Sequence, residues 1–183
     1  MKDIIVKWDN TELPEKETNG FGIKAFKNKL NFKFHRLYAV GAENDIIMSD
    51  NHKIKNYYAL AIQQILRDSS SFKVIGLGLG LGLVQRTLLK MIPNISEFIT
   101  IEKSEGIANL ISPIIKDKRH KIIIGNGLTY SEKHPGVKYV FIDLWSNFLN
   151  KSKYKKAREK EIKRWEKLYP SANIICVDIT KFG

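Results

Sequence analysis

Residues 72–84 read FKVIGLGLGLGLV. A short apolar run passes into glycines at every second position, and helical spacing of apolar residues follows over positions 83–92. This order predicts a buried strand, a tight loop and a helix. Glycine allows positive φ and close approach of the backbone to a ligand, and the first turn of a helix offers unpaired N–H groups. We therefore expect a ligand-binding loop at the carboxyl end of a parallel strand.

The glycine spacing separates this loop from two common nucleotide sites. Gly78, Gly80 and Gly82 form G-x-G-x-G. A dinucleotide fingerprint requires G-x-G-x-x-G, and a phosphate loop ends in G-K-S or G-K-T. No register of the loop matches either pattern. A flexible linker is also disfavoured, because leucines stand between the glycines where linkers carry serine and other small polar residues.

Size and composition favour a single globular domain. The chain has 183 residues, of which 43% are hydrophobic, a normal value for a domain with a core. Its one cysteine, Cys176, excludes a disulfide framework and a cysteine-based metal cluster. The longest nearly apolar run, residues 74–84, is too short and too rich in glycine to span a bilayer. With no signal-peptide pattern at positions 1–10, we expect a cytoplasmic protein with no metal site and no membrane contact.

The net charge is +12, which makes an anionic partner plausible, with nucleic acid first. Residues 150–168 predict a basic helix, and most of its lysines and arginines lie at positions 151–164. These side chains could contact nucleic acid. A lysine-rich surface that serves only solubility, or that reflects genome composition, is the alternative.

Strand and helix patterns alternate through most of the chain. Residues 21–48 predict a small β-meander with turns near 28–29 and 43–45, in which His35 is a surface residue. Helices are predicted at 51–67, 83–92, 105–115 and 150–168, between strands at 72–77, 98–102, 120–124, 136–143 and 172–178. Such alternation indicates a Rossmann-like, doubly wound, mostly parallel sheet. We divide the chain into an N-terminal β-rich segment, 1–49, and a Rossmann-like domain, 50–183.

Polar residues stand where three of the predicted strands end. Glu102 closes the second strand, 24 positions after Gly78, close to the roughly 20-residue offset at which an acidic residue binds ribose hydroxyls. Asn126 follows the third strand and Asp143 closes the fourth. Because parallel strands end at one edge of the sheet, these side chains should meet the glycine loop there. Alternatively, Glu102 is a solvated strand end paired with Lys103.

These motifs resemble those of class I S-adenosylmethionine-dependent methyltransferases, and more narrowly the spermidine synthase-like branch. In that branch too, the acidic residue that most methyltransferases place two before the first glycine is absent, and here Gly76 holds its place. The resemblance implies that the glycines approach the methionine moiety and sugar, Glu102 holds the ribose, Asn126 contacts the adenine and Asp143 lies beside the sulfonium. The implied cofactor site consists of Gly76, Gly78, Gly80, Gly82, Glu102, Lys103, Asn126, Gly127 and Asp143.

Departures from the family pattern argue against aminopropyl transfer and against the usual methylation of base amino groups. Aminopropyl transfer needs an acidic, serine-rich segment after the fourth strand, whereas residues 143–147 read DLWSN and a basic helix follows. An Asn/Asp-Pro-Pro-Tyr motif of base-modifying methyltransferases is also missing. The family usually adds an antiparallel strand pair after the fifth strand, which this sequence lacks. We expect the N-terminal meander, or a second subunit in a homodimer, to cover that sheet edge.

The sequence thus predicts a methyltransferase with an unknown acceptor. Asp143 is the candidate catalytic residue, which would orient or deprotonate the acceptor. Trp145 could form an aromatic wall of the acceptor site or pack in the core, and Tyr58 could reach the ligand from the helix before the glycine loop. Two alternatives remain on the same scaffold: a nucleic-acid-binding protein, and a module that binds the cofactor without turnover.

Overall fold

The computed structural model describes residues 6–9, 11–18, 20–27, 33–39, 46–144 and 151–176. They form two sheets: a small antiparallel sheet near the N-terminus and a larger parallel sheet with helices on both faces. No helix in these ranges is both long and apolar enough to cross a membrane.

The small sheet is the predicted meander. Its strands pair antiparallel in chain order: β1 (Lys16–Thr18), β2 (Phe21–Lys27), β3 (Lys33–Ala39) and β4 (Ile46–Asp50). The predicted turns at 28–29 and 43–45 lie outside the described residues. The prediction that His35 is a surface residue is wrong, because only 5% of it is exposed. Leu37 points into the core, and the two-residue period of a strand places His35 on the same face.

The larger sheet has five parallel strands in the order β7-β6-β5-β8-β9. This is the order of the first five strands of a Rossmann sheet, which confirms the predicted doubly wound fold. The strands are β5 (Phe72–Leu77), β6 (Ile95–Glu102), β7 (His120–Ile124), β8 (Val137–Ile142) and β9 (Asn173–Cys176). The helices are α1 (Asn51–Ile65), α2 (Leu83–Met91), α3 (Glu105–Ile111) and α4 (Lys151–Leu168).

Helix α3 is shorter than predicted. It begins at a capping serine, since the Ser104 hydroxyl accepts a hydrogen bond from Ile107 N at 3.2 Å. It ends at Ile111 rather than at Ile115, and a 3₁₀ turn, Ser112–Ile114, follows. Pro113 lies in that turn, and proline can neither donate the next helical hydrogen bond nor avoid a clash with the preceding turn.

The core lies on both faces of the parallel sheet. Helices α1, α2 and α3 cover one face, where Leu13, Ile23 and Leu37 of the N-terminal region join the same cluster. Trp165 and Tyr169, at the end of α4, cover the other face. The N-terminal region therefore shares a core with the Rossmann-like part, and the boundary at residue 50 stays a prediction.

Candidate functional site

The carboxyl ends of the central strands are joined by backbone hydrogen bonds that continue beyond the strands themselves. Each loop after a strand starts by pairing with the neighbouring strand, so the three loops leave the sheet at one level. These bonds are Gly78 N to Ile101 O at 2.9 Å, Asp143 N to Leu77 O at 3.0 Å, and Gly125 N to Glu102 O at 2.9 Å.

The spacing of the glycine loop follows from its backbone. Gly78, Gly80 and Gly82 have φ of 89°, 51° and 65°, a left-handed conformation that other residues adopt at a cost. The residues between them, Leu79 and Leu81, are buried in the core. Alternation therefore lets the leucines anchor the loop while the glycines make its turns.

Three glycines of this region have tight neighbours. A Cβ at Gly78 would overlap the carbonyl oxygen of Asp143, so glycine here lets two loops meet. A Cβ at Gly76 would stand 2.9 Å from a ring carbon of Phe98, and one at Gly82 would stand 2.8 Å from Ile115 Cδ1. Gly76 and Gly82 thus serve packing, and neither lines the cavity at the strand ends.

Glu102 is held by the backbone of two loops. Its Oε2 accepts a hydrogen bond from Leu79 N at 2.8 Å, and its Oε1 accepts one from Ser104 N at 2.8 Å. Only 7% of the residue is exposed, and it lines the cavity. Each carboxylate oxygen has a second lone pair, so the fixed group can still accept hydrogen bonds from a ligand. The alternative that Glu102 is a solvated strand end is therefore wrong.

The loop after β7 turns around Asn126. Its Oδ1 accepts a hydrogen bond from Leu128 N at 3.0 Å, which leaves the amide NH₂ as the group with free donors. Its backbone carbonyl accepts from Tyr130 N at 2.9 Å. Gly127 is buried beside Leu144, and a Cβ there would stand 2.8 Å from Leu144 Cδ2.

Asp143 has an unusual environment at the end of β8. Asp143 is an exposed residue that lines the cavity, and burial of its carboxyl group raises its pKa to about 6. The nearby hydroxyl of the fully buried Tyr58 acts in the opposite direction and lowers the pKa of Asp143. Burial, and then the charge of Asp143, raise the pKa of Tyr58 well above its usual value.

These elements enclose a cavity of about 470 Å³, within the range of ligand sites. Of the predicted residues it brings together Gly78, Gly80, Glu102, Lys103, Asn126, Gly127 and Asp143. Tyr58 lies behind Asp143 and does not line it, and Trp145 lies outside the described residues. Sequence reasoning missed its other walls, which are Leu37, Ile101, Ser104, Ile107, Leu128 and Leu144. In the described ranges, no group of three or more His, Cys, Asp or Glu could hold a metal ion.

Two arginines of the predicted nucleic-acid helix bind the protein itself. Arg158 donates two hydrogen bonds to Cys176 O, at 3.2 and 2.8 Å. Arg164 donates to Tyr130 O at 2.6 Å and to Gly127 O, and so ties α4 to the loop that lines the cavity. Among residues 154–168 of α4, whose burial the structure describes, five lysines are exposed: Lys155, Lys156, Lys160, Lys163 and Lys167.

Comparison with known proteins finds similarity only in structure. No protein-family model and no curated protein matches the sequence. Similar solved structures include a spermidine synthase from Thermotoga maritima (19% identity, 79% of this chain and 51% of that chain, TM-score 0.47). Another is MNMC2 from Aquifex aeolicus (16% identity, 86% of this chain and 58% of that chain, TM-score 0.48). A third is a dimethyladenosine transferase from Plasmodium falciparum (14% identity, 63% of this chain and 38% of that chain, TM-score 0.45).

The likeness concerns the fold alone, and the chain spans 38 to 58% of these proteins' lengths. The strand order and the cavity at the strand ends define a Rossmann-like, doubly wound fold, as predicted. Within the described residues the sheet ends at β9.

Proposed function

We propose that the cavity binds S-adenosylmethionine and that the protein transfers its methyl group to an acceptor. The observation that carries this proposal is the fixed carboxylate of Glu102. It is buried beside a glycine loop, held by Leu79 N and Ser104 N, and still able to accept from a pair of hydroxyls.

The rest of the cavity also suits this nucleoside. The amide of Asn126 can donate to a ring nitrogen of the base, while Ile107 and Leu128 offer apolar walls for its faces. Asp143 stands on the wall formed by β8, where a carboxylate would attract the positive sulfonium. When bound, the cofactor would supply an activated methyl group.

Asp143 is the group that would orient or deprotonate the methyl acceptor. Because its pKa is raised to about 6, it is a stronger base than an ordinary aspartate and is still ionised at neutral pH. The Tyr58 hydroxyl would hold the carboxylate in place, so Tyr58 is a positioning residue. Its predicted contact with substrate would require the buried ring to move.

Calorimetric titration with S-adenosylmethionine and S-adenosylhomocysteine tests the proposal, with NAD as a control. Micromolar binding of both sulfur nucleosides, without binding of NAD, is the expected result. Absence of binding by either sulfur nucleoside would refute the proposal. Binding without turnover on any acceptor would favour the inactive cofactor-binding module.

The affinity for S-adenosylmethionine should increase as the pH rises through about 6, because Asp143 then gains the charge that attracts the sulfonium. If binding lowers the pKa of Asp143 by about one unit, the gain is about fivefold between pH 5 and 7.5. S-adenosylhomocysteine, which has no sulfonium charge, should show little change. The test compares both affinities across this range in the wild type and in Asp143→Asn, where we expect the difference to vanish. A pH response that persists in the variant would contradict the assignment.

We propose nucleic-acid binding by α4 as the second candidate function, because of its row of five exposed lysines. The affinity for RNA should then fall steeply with salt, with a slope of about −0.7 for each phosphate contacted. Lys155→Glu/Lys160→Glu should weaken binding and flatten the slope by about 1 to 2. Fluorescence anisotropy with a labelled oligonucleotide, measured at several salt concentrations, checks this. Binding that does not depend on salt would exclude it.

A further inference from the structure

A second cavity, of about 440 Å³, lies outside the candidate cofactor site. It is formed by the N-terminal region, α2 and the segment that follows α3, and it shares no lining residue with the first cavity. Its polar walls are Asp9, Thr11, Arg86, Lys90, Lys116, Asp117 and Lys118.

Both acids of this second cavity are paired with arginines. Arg86 donates to Asp9 Oδ1 at 2.5 Å. Arg119 binds both oxygens of Asp117, through Nε at 3.0 Å and through a terminal nitrogen at 2.7 Å. The carboxylates are thus neutralised within the protein, and the three lysines of the cavity are in excess.

These lysines are available to a ligand. Lys116 and Lys118 are exposed and form no ion pair with any described residue. Lys90 is 67% exposed, and its ammonium lies 3.6 Å from the second oxygen of Asp9, which Arg86 already neutralises. A concave surface with one excess sign of charge concentrates the electrostatic potential and attracts the opposite ion.

Arg86 adds a donor in the same wall. It is 7% exposed and lines the cavity. Its Nε has no hydrogen-bond partner among the described residues, but solvent does not reach that atom, so a ligand would meet the part of the guanidinium group that faces the cavity. A guanidinium group matches phosphate geometry well.

We infer that this second cavity binds a phosphate group, from a free nucleotide or from the backbone of an RNA chain. The lysines would provide the attraction, and Arg86 would provide a directed hydrogen bond. The site is independent of the cofactor cavity and does not rest on methyl transfer.

The test uses calorimetric titration of the full chain with inorganic tripolyphosphate, in the wild type and two double variants. Lys116→Glu/Lys118→Glu reverses two exposed charges of the cavity, and Lys27→Glu/Lys133→Glu makes the same change at two exposed lysines outside both cavities and outside α4. Circular dichroism and thermal melting check that both variants fold. Each variant is also titrated with S-adenosylhomocysteine. This titration reports on the cofactor cavity alone, so it distinguishes failure of the phosphate site from failure of the proposed function.

We expect Lys116→Glu/Lys118→Glu to weaken tripolyphosphate binding on the order of tenfold or more, since each exposed charge pair contributes up to about fivefold. Lys27→Glu/Lys133→Glu should change it less than about twofold. Displacement of bound tripolyphosphate by adenosine monophosphate would identify a nucleotide site, and displacement only by a 12-nucleotide RNA would identify a backbone site. No binding of tripolyphosphate, or equal losses in the two variants, would overturn the inference.

Discussion

Glu102→Gln is expected to weaken S-adenosylhomocysteine binding at least about 100-fold. The carboxylate accepts from Leu79 N and Ser104 N, and an amide has only one oxygen to replace its two. One loop would therefore face an N–H group instead of an acceptor, and the ribose hydroxyls would lose a charged acceptor. A hydrogen bond to a charged group contributes about 1.5–3 kcal/mol, so the loss of two explains the magnitude. Calorimetry measures it directly.

The matched control is Glu105→Gln, which makes the same chemical change at an exposed carboxylate outside the cavity. It should leave the affinity unchanged within about twofold. Thermal melting of both variants checks the fold. Wild-type affinity in Glu102→Gln would contradict the ribose assignment, even if the nucleoside binds elsewhere on the protein.

Trp165→Ala is expected to destabilise the fold by about 3–5 kcal/mol, as for other large aromatic side chains removed from a core. Trp165 is fully buried, and its ring stacks on Tyr169 with 5.7 Å between centroids. It also packs against the sheet face that α4 covers. The melting temperature should fall by about 10 °C, since each kcal/mol costs about 2–4 °C in a domain of this size. Chemical and thermal denaturation measure both quantities.

Two variants on α4 show whether the loss comes from the buried ring. Trp165→Phe keeps an aromatic ring and removes an indole N–H that has no partner among the described residues. Its cost should be less than about 2 kcal/mol, because loss of an unsatisfied donor offsets part of the cavity. Glu166→Ala, at an exposed neighbour, should stay within about 0.5 kcal/mol. Equal stability of Trp165→Ala and wild type would show that α4 does not support the sheet.

The sequence predicted the fold well because each signal was local. Alternating strand and helix periods depend on neighbours along the chain, and so do the glycines that turn the loop after β5. The convergence of Glu102, Asn126 and Asp143 was also predictable, because parallel strands end at one edge of a sheet. The resemblance to methyltransferases rested on these same residues.

Interpretations that depended on distant neighbours were less successful. His35 looked like a surface residue, but the inward position of Leu37 decided its face. The cofactor contacts of Gly76 and Gly82 stay predictions, but the sequence did not show that Phe98 and Ile115 occupy the space where a side chain would stand. The sequence also did not show that Arg164 binds loop carbonyls, and its contact with nucleic acid stays a prediction.

The order of elements, the parallel sheet and the edge where the site forms could be predicted from the amino-acid sequence, since these follow from periodicity and connection rules. The oxygens that Glu102 offers, the effect of burial on the pKa of Asp143 and the position of the second cavity became visible in the folded molecule. That cavity joins Asp9, Arg86 and Lys118, which are far apart along the chain. Charge and desolvation depend on distance in space, and a linear pattern does not contain those distances.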